Sequence, residues 1–390
     1  MKVLHLIDTI FASGAELHLL TLCRYLKKQN VEVVVACLHE EVRVSRSLRR
    51  DFEKEQIRVI NLNAPSRYNW RFLGRLANLI KTEQPNIVHS HLVRPDIAAA
   101  LVMRQAGSIA FLSSVHGIYR DRWFGAWAAP LMRWTYRKAD AIIAISSAVK
   151  TWLHEDLGIC DDKITVIHYG IEPERFAGCN TSGWENGQPN RRAVIGSIGR
   201  LEPGKNFECL IHAMKSVRTQ LPNASLLIAG HDPEGYGQKL ETLIAELELT
   251  QHVRLIGFQK DVSSFLHGVD IFAFASRTEG FGQVVIEAMA SGTPVVVSRI
   301  APLTEIVKEG ENGLLVDPDD PPGFARAIIW LLNHPEETQQ ISRRAQESVQ
   351  GHFSARRMVD ETIAVYDDLI RIKHCGENPS HRARDVENYV

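Results

Sequence analysis

Short apolar runs alternate with amphipathic stretches along the first 177 residues of the chain. The runs are rich in Val, Ile and Leu, and the stretches between them repeat apolar residues at the spacing of one helix face. Strands that alternate with helices in this way are typical of a parallel, doubly wound α/β sheet. The predicted strands are residues 3–7, 31–37, 57–62, 86–91, 111–115, 141–145 and 164–167.

The same alternation starts again after a polar segment, which indicates a second domain. Residues 178–192 are rich in Gly, Asn, Ser and Pro, and we interpret them as a linker. Over residues 193–355 a second doubly wound sheet is predicted from the runs AVIGSIG, ASLLIAG, VRLIGF, IFAFAS, PVVVS and NGLLV. Amphipathic spacing predicts a final helix within residues 356–375, and the charged, aperiodic residues 376–390 are expected to be disordered.

Between Asp270 and Val297 the pattern predicts a strand, an acidic loop with two glycines, a helix and another strand. The helix is expected to begin near Gln283, with Glu279 in the loop and Glu287 just over one turn inside the helix. Carboxylates so placed are poorly suited to act as the acid/base pair of a hydrolase, so we expect each to bind a different group. Hydroxyls of a hexose and of a ribose would satisfy them.

The start of that helix also offers backbone N–H groups to a ligand. The amides of Gly280, Phe281 and Gly282 are expected to bind a phosphate or a sugar, because a helix N-terminus attracts negative charge. The alternative for Glu287 is an ordinary acid on the helix surface, although its apolar neighbours mark this helix as largely buried.

A second glycine-bearing loop follows the first strand of the C-terminal domain, in the sequence VIGSIGRLEPGKNF. Its glycines and cations are Gly196, Gly199, Gly204, Arg200 and Lys205. Glycines let the backbone approach a phosphate and cations neutralise it, so the loop predicts a diphosphate site. The spacing resembles a Walker A loop, but Asn206 stands where the magnesium-binding Ser or Thr would be. We therefore favour a diphosphate site over a nucleotide hydrolase and over a plain surface turn.

Composition places the chain among ordinary soluble enzymes. At 390 residues, with 45% hydrophobic and 23% charged residues, it is long enough for two domains. Its six cysteines show no CxxC spacing, which favours a reducing compartment and argues against a zinc site or a disulfide framework. The opening residues make a poor signal peptide and no apolar run has the length to span a bilayer. We expect a cytoplasmic protein without a nucleic-acid partner.

One segment, residues 119–138, is dense in both aromatic and basic residues. It lies in the more basic half: residues 1–190 hold 24 Lys and Arg against 19 Asp and Glu, and the remainder holds 21 against 27. Aromatic insertion and basic attraction bind peripheral proteins to anionic lipid, so this segment is a candidate contact with the inner face of the membrane. The alternative is a lid or core helix whose arginines reach solvent.

Five stretches occur in an order that characterises one enzyme family: SGAELHLL, VHG, GRLEPGKN, EGFGQVVIEAMASGTPVV and NGLLVDPDD. Together they resemble the retaining glycosyltransferases of the GT-B fold, family 4, over nearly the whole chain. The resemblance implies an α/β GT-B fold of two doubly wound, Rossmann-like domains facing a cleft, with a C-terminal helix that returns to the N-terminal domain. It also implies that the C-terminal domain binds a nucleotide-sugar donor and the N-terminal domain binds the acceptor.

Carried over by position, the resemblance assigns most donor contacts to the C-terminal domain. Arg200 and Lys205, in the loop of Gly199, would bind the diphosphate. Glu279, with the amides that follow it, would bind the hydroxyls of the donor sugar, and Glu287 would bind the ribose.

The resemblance also assigns contacts outside those loops. Gly14 would approach the donor phosphate or sugar, His116 would face the sugar near the reacting carbon, and the backbone around Gly257 and Phe258 would contact the base. The implied catalytic residues are His116, Arg200, Lys205 and Glu279. The chain departs from the family pattern at Ser13, where a second glycine is common, and in SRIAPLTEIV, which lacks the common glycine pair.

The implied reaction transfers a sugar from a UDP-sugar or GDP-mannose to a saccharide or lipid-linked acceptor, with retention of configuration, in cell-surface polysaccharide or glycolipid synthesis. Arg200 and Lys205 can stabilise the charge on the leaving diphosphate without a metal. Asp317 and Asp319 form a DxD string like that of metal-dependent transferases, but their position among prolines predicts a turn or cap. No metal or other cofactor is expected. The alternatives are a sugar-nucleotide-binding protein without turnover and a P-loop nucleotide hydrolase.

Overall fold

The structure, a computed structural model, describes residues 1–40, 47–64, 71–103, 107–119, 128–178 and 193–375. The chain forms two compact units. The N-terminal unit combines Met1–Gly170 with the segment from Ala355 onward, and the C-terminal unit is Ile171–Ser354.

The N-terminal unit is built on a parallel sheet. Its strands are β1 (Lys2–Ile7), β2 (Glu32–Cys37), β3 (Arg58–Asn61), β4 (Ile87–His91), β5 (Ala110–Val115), β6 (Ala141–Ala144) and β7 (Ile164–Val166). Its connecting helices are α1 (Gly14–Lys28), α2 (Arg49–Lys54), α3 (Phe72–Glu83), α4 (Val93–Val102), α5 (Ala128–Lys138) and α6 (Ser147–Glu155). The strands pair in the order β3-β2-β1-β4-β5-β6-β7, and these pairs are all parallel.

The C-terminal unit repeats this plan with a second parallel sheet. Its strands are β8 (Val194–Ile198), β9 (Ser225–Ala229), β10 (Val253–Leu255), β11 (Ile271–Phe274), β12 (Val295–Ser298) and β13 (Leu314–Val316). Its helices are α7 (Phe207–Gln220), α8 (Gly237–Glu246), α9 (Val262–His267), α10 (Gln283–Ala290), α11 (Ala301–Ile306), α12 (Pro321–Asn333) and α13 (Pro335–His352). The strand order is β10-β9-β8-β11-β12-β13, again with parallel pairing.

The predicted pair of doubly wound, Rossmann-like units is confirmed. Strands such as β11 and β12 read as continuous apolar runs because all of their residues are buried, as in parallel sheets covered on both faces. In each unit the strand order reverses between the first strand and the fourth, so that β1 lies beside β4 and β8 lies beside β11. Loops diverge at such a switch point, and ligands of doubly wound sheets bind there.

A final helix, α14 (Ala355–Cys375), packs in the N-terminal unit, as the resemblance implied. Its residues in the apolar core of that unit include Met358, Tyr366 and Leu369. The hydroxyl of Tyr366 also lies 2.7 Å from Nδ1 of His89, and Nζ of Lys373 lies 3.0 Å from a carboxylate oxygen of Asp140. The helix is therefore an integral part of the N-terminal unit.

The junction between the units lies after Gly170, whereas from the sequence we expected the first domain to end at residue 177. Residues 171–177 group with the C-terminal unit because their backbone bonds to it. The N–H of Ile171 donates to the carbonyl of Phe353 at 2.9 Å, and the hydroxyl of Ser263 donates to the carbonyl of Arg175 at 3.0 Å. Most of the proposed linker, residues 179–192, and the proposed tail, 376–390, lie outside the described residues.

The aromatic and basic segment 119–138 is described only in part, since residues 120–127 lie outside the described ranges. Its α5 portion buries Met132, Thr135 and Tyr136, while the basic residues around them are exposed. This arrangement matches the core-helix alternative for α5, and the membrane contact stays a prediction. Across the described ranges, no helix combines the length and the apolar character that a membrane crossing requires.

One buried carboxylate lies in the first turn of α4. Oδ1 of Asp96 accepts hydrogen bonds from the hydroxyls of Ser90 at 2.5 Å and Ser113 at 2.8 Å. Burial nevertheless raises the pKa of Asp96 to about 7, because the charged form loses more hydration than these hydroxyls replace.

Candidate functional site

In the C-terminal unit, hydrogen bonds join the loops that follow β8 and β11. The backbone N–H of Arg277 donates to the carbonyl of Gly204 at 2.9 Å, and the hydroxyl of Ser276 lies 3.0 Å from the same carbonyl. Because β8 and β11 are neighbours, both loops leave the sheet at its switch point. The fold thus brings together two sequence stretches from which we predicted ligand contacts.

Lys205 and Glu279, one from each loop, form a direct ion pair. Nζ of Lys205 lies 2.6 Å from Oε1 of Glu279, and only 16% and 10% of the two side chains are exposed. The stem of Lys205 lies against Gly199, where an added Cβ would be 3.3 Å from Cδ of the lysine. From the sequence we expected these two residues to bind different parts of a donor, and in the structure they contact each other.

Asn206 holds three loops of the C-terminal unit together. It has a left-handed backbone, with φ of 53°, and its side-chain amide donates to the carbonyls of Ala275 at 3.1 Å and Pro318 at 2.7 Å. From the sequence we interpreted Asn206 only as the residue that breaks the Walker A pattern. An asparagine between a Gly-Lys pair and a helix is itself a signal, because Asn tolerates the left-handed region better than most residues.

Packing requires two of the glycines that the sequence placed near the site. Gly282 precedes α10 with φ of +112°, and an added Cβ would lie 2.5 Å from Cδ2 of Leu303. Gly196 was predicted to lie in the loop, but this was wrong: it lies within β8, where an added Cβ would be 2.7 Å from Cγ1 of Val269. Its role is therefore to let a neighbouring side chain pack on the sheet.

Glu287 is buried in α10, which begins at Gln283 as predicted. Nε2 of Gln283 donates to Oε1 of Glu287 at 2.9 Å, and burial raises the pKa of Glu287 to about 7. Oε1 of Gln283 is buried without a partner among the described residues. A carboxylate and an unpaired carbonyl oxygen are both acceptors, so the pair suits a ligand with hydroxyl donors. In the preceding loop Gly280 is partly exposed, whereas Phe281 is buried beside the ring of Phe353.

The other residues of this unit that were predicted to contact a donor lie on its loops. Arg200 is in the loop of Lys205, but its side chain is exposed and pairs with Glu202 at 3.4 Å. Gly257, with φ of +68°, follows β10, and its carbonyl accepts from the N–H of Gly230 at 2.9 Å. Phe258 is 40% exposed.

Asp317 and Asp319 lie in a turn after β13, as the sequence predicted. The N–H of Asp319 donates to Oδ1 of Asp317 at 2.9 Å, and Oδ1 of Asp319 pairs with Arg277 at 2.7 Å. These contacts give both carboxylates a structural role. Whether the protein works without a metal stays a prediction.

In the N-terminal unit, four rings form a hydrogen-bonded series that we call the imidazole chain: His5, His91, His116 and Tyr169. Nδ1 of His5 lies 3.0 Å from Nε2 of His91, and Nδ1 of His91 lies 3.0 Å from Nε2 of His116. Nδ1 of His116 then lies 2.5 Å from the hydroxyl of Tyr169. Burial lowers the pKa of His5 and of His116 to about 3, so these imidazoles are neutral at pH 7.

The imidazole chain occupies both ring nitrogens of His116, the residue predicted to face the sugar. Both of its ring nitrogens are hydrogen-bonded inside the N-terminal unit, so a sugar hydroxyl could bond to either nitrogen only by replacing His91 or Tyr169. Its role as a sugar contact stays a prediction. Sequence reasoning missed its partners because they lie 25 and 53 residues away in the chain.

Gly14, the predicted donor contact of the N-terminal unit, is the first residue of α1. An added Cβ there would meet no atom of the described residues within 4 Å, so the packing within this unit does not require glycine. Two residues further on, Glu16 is buried and accepts a hydrogen bond from the hydroxyl of Thr9 at 3.0 Å. Burial raises the pKa of Glu16.

Three buried histidines are close enough to share an ion. His5, His89 and His91 place ring nitrogens within 4.8 Å of one another. Both nitrogens of His89 already lie 2.7 Å from hydroxyls, those of Tyr366 and Ser114, and both nitrogens of His91 bond to other histidines. A metal could enter only by replacing some of these hydrogen bonds.

Sequence models of two families match the chain, one for each half. Glycosyltransferase Family 4 matches residues 12–175, and Glycosyl transferases group 1 matches residues 181–348. The chain belongs to glycosyltransferase family 4. Gly14 and His116 lie in the half matched by the first model, and the Lys205–Glu279 pair lies in the half matched by the second. The enzyme is thus a glycosyltransferase.

Relatives of this glycosyltransferase cover different shares of its length. An uncharacterised glycosyltransferase of Methanocaldococcus jannaschii is 26% identical over 92% of this chain and 95% of its own. A lipopolysaccharide core biosynthesis glycosyltransferase of Rhizobium meliloti is 35% identical over 44% of this chain and 49% of its own. Among solved structures, Anabaena HepE in complex with UDP and glucose matches with a TM-score of 0.82 and 22% identity, covering 94% of this chain and 100% of that one. This similarity supports the GT-B fold.

Proposed function

We propose that this glycosyltransferase transfers a sugar from a nucleoside-diphosphate donor, a UDP-sugar or GDP-mannose, to a hydroxyl of a saccharide or lipid-linked acceptor with retention of configuration. The observation that carries the proposal is the Lys205–Glu279 pair at the switch point of the C-terminal unit. A cation suits the phosphates and an adjacent carboxylate suits sugar hydroxyls, so the two charges correspond to the two chemical parts of a nucleotide sugar.

The leaving group of this reaction is a nucleoside diphosphate, on which negative charge develops as the glycosidic bond breaks. Lys205 is held at a defined position by its ion pair, and preorganised charge of this kind lowers a barrier more than charge that must first be ordered. Arg200, on the same loop and exposed, would supply a second cation when the donor binds. No metal is needed in this proposal.

The ribose and the base would bind farther along the same sheet edge. Glu287 and the unpaired Oε1 of Gln283 offer two acceptors for the two ribose hydroxyls. The backbone near Gly257, with the exposed ring of Phe258, would contact the base. The UDP in the Anabaena HepE structure supports a nucleotide donor of this kind.

The acceptor is proposed to be a growing cell-surface polysaccharide or a glycolipid, bound mainly by the N-terminal unit with His116 near the sugar. The naming of a Rhizobium meliloti relative for lipopolysaccharide core biosynthesis supports this class. A cytoplasmic enzyme that contacts the inner face of the membrane through residues 119–138 would meet such an acceptor where it is made.

The test begins with a panel of UDP-, GDP- and ADP-sugars, scored by the thermal stabilisation that a ligand of the native state produces. With the best donor, Lys205→Ala and Glu279→Ala should each lower transfer by orders of magnitude while the unfolding temperature stays close to that of the wild type. Lys239→Ala, which removes an exposed ion-paired lysine of the same unit, should leave transfer unchanged. Normal turnover in either site variant would refute the assignment.

Metal dependence is tested separately. Transfer should survive EDTA, because Lys205 and Arg200 supply the charge that a metal would otherwise provide. Loss of activity that manganese restores would instead assign a metal-binding role to Asp317 and Asp319.

A further inference from the structure

The carboxylate of Glu279 beside Lys205 affects which ligands the site binds tightly. The charge of Lys205 is paired with a carboxylate 2.6 Å away, and both side chains are mostly buried. Exposed pairs such as Arg299–Glu309, with 54% and 48% of the side chains accessible, are screened by water far more strongly. A diphosphate that binds Lys205 must therefore approach a fixed, poorly screened carboxylate.

The loop that carries that carboxylate is joined to the loop of Lys205. Glu279 lies in the loop that Arg277 and Ser276 tie to the carbonyl of Gly204, immediately before Lys205. Since these bonds join the two loops, the carboxylate and the ammonium cannot separate by a simple loop movement. A phosphate at Lys205 is attracted by the lysine and repelled by the glutamate, and only a group that donates hydrogen bonds to the glutamate offsets the repulsion.

We propose that Glu279 makes the site discriminate between the sugar-bearing donor and the sugar-free nucleoside diphosphate that remains after transfer. The hydroxyls of the donor sugar donate to the carboxylate, whereas the product offers only phosphate oxygens to it. The charge of Glu279 therefore weakens binding of the product and promotes its release. This inference rests on the proposed function and concerns regulation of the same site.

The experiment compares dissociation constants by titration calorimetry for two pairs of ligands: UDP with UDP-glucose, and GDP with GDP-mannose. Glu279→Gln removes the charge and keeps the size, and we expect it to bind the matching sugar-free diphosphate about tenfold more tightly than the wild type. The same variant should bind the nucleotide sugar no more tightly than the wild type, because the amide is a weaker acceptor for hydroxyls. If Glu279 had only a structural role, Glu279→Gln would lower the affinity for the diphosphate and for the nucleotide sugar alike.

Two controls separate charge from other effects. Glu279→Asp keeps the charge and should not bind the diphosphate more tightly than the wild type. Glu309→Gln removes an ion-paired carboxylate elsewhere in the same unit and should not change the affinity for either ligand. Unchanged or weaker diphosphate binding in Glu279→Gln, or equal tightening in Glu279→Asp, would overturn the inference and leave the proposed function standing. If the wild type binds none of the four ligands, the proposed function fails together with the inference.

Discussion

Asn206→Ala is the substitution for which the structure predicts the clearest loss. The change removes the donors to the buried carbonyl of Ala275 and to the partly buried carbonyl of Pro318. It also places an alanine at φ of 53°. An unsatisfied buried acceptor costs about 2 kcal/mol, a partly exposed one about 1 kcal/mol, and a left-handed alanine about 1 kcal/mol.

Part of that loss is recovered, because Oδ1 of Asn206 is itself buried without a partner among the described residues, and alanine removes it. We therefore expect the free energy of unfolding of the C-terminal unit to fall by about 3 kcal/mol. Urea denaturation followed by circular dichroism measures this difference. Asn206→Gly is the matched variant: it loses the same hydrogen bonds but tolerates the backbone, so it should be about 1 kcal/mol more stable than Asn206→Ala.

Transfer activity gives a second measurement on the same proteins. Both variants remove the side-chain hydrogen bonds that join the loop of Lys205 to the loops after β11 and β13, so both should lose most of their transfer under conditions where they remain folded. The reasoning is refuted if the free energy of unfolding of Asn206→Ala lies within about 1 kcal/mol of the wild-type value. Equal stability of the alanine and glycine variants would show that the left-handed backbone carries no cost at this position.

Two further predictions concern pH. The folded-state pKa of Asp96, about 7, lies above its unfolded value, so the protonated form stabilises the fold at low pH. This contribution is lost as pH rises through the folded-state pKa. Relative to Asp96→Asn, the wild type should therefore lose about 4 kcal/mol of unfolding free energy between pH 4 and pH 8, as measured by urea denaturation. Burial likewise raises the pKa of Glu287 to about 7. An ionised carboxylate accepts hydrogen bonds from ribose more strongly than a protonated one, so UDP affinity, measured by titration calorimetry, should fall more steeply between pH 8 and pH 6 in the wild type than in Glu287→Gln. Parallel pH profiles in either pair would contradict the corresponding assignment.

The architecture was predictable because its signals are local. Buried parallel strands produce apolar runs, glycines and polar residues mark the loops between them, and the alternation with helices leaves few arrangements of the chain. The start of α10 at Gln283 was predicted for the same reason, since a glycine-bearing loop gave way to helical spacing. The misplacement of Gly196 shows the limit of this reasoning, because a loop glycine and a strand glycine that admits a neighbouring side chain look alike in sequence.

Contacts between distant stretches were not predictable. Lys205 and Glu279 are 74 residues apart, and their spacing along the chain says nothing about whether they touch. Only the order of strands in the sheet, with β8 beside β11, makes their loops adjacent. The partners of His116 were missed for the same reason, since ordinary strand and loop residues such as His91 and Tyr169 become an imidazole chain only once the sheet has formed.

The position of α14 has a consequence for how the protein is made. The N-terminal unit is discontinuous in sequence, with the entire C-terminal unit inserted before its last helix. A ribosome that reads from residue 1 therefore completes the second unit first, while the first still lacks Tyr366 and Leu369 from its core and a hydroxyl for His89. Until α14 emerges, apolar side chains of the nascent N-terminal unit remain uncovered, and that interval is when this chain is most exposed to aggregation and most dependent on chaperones.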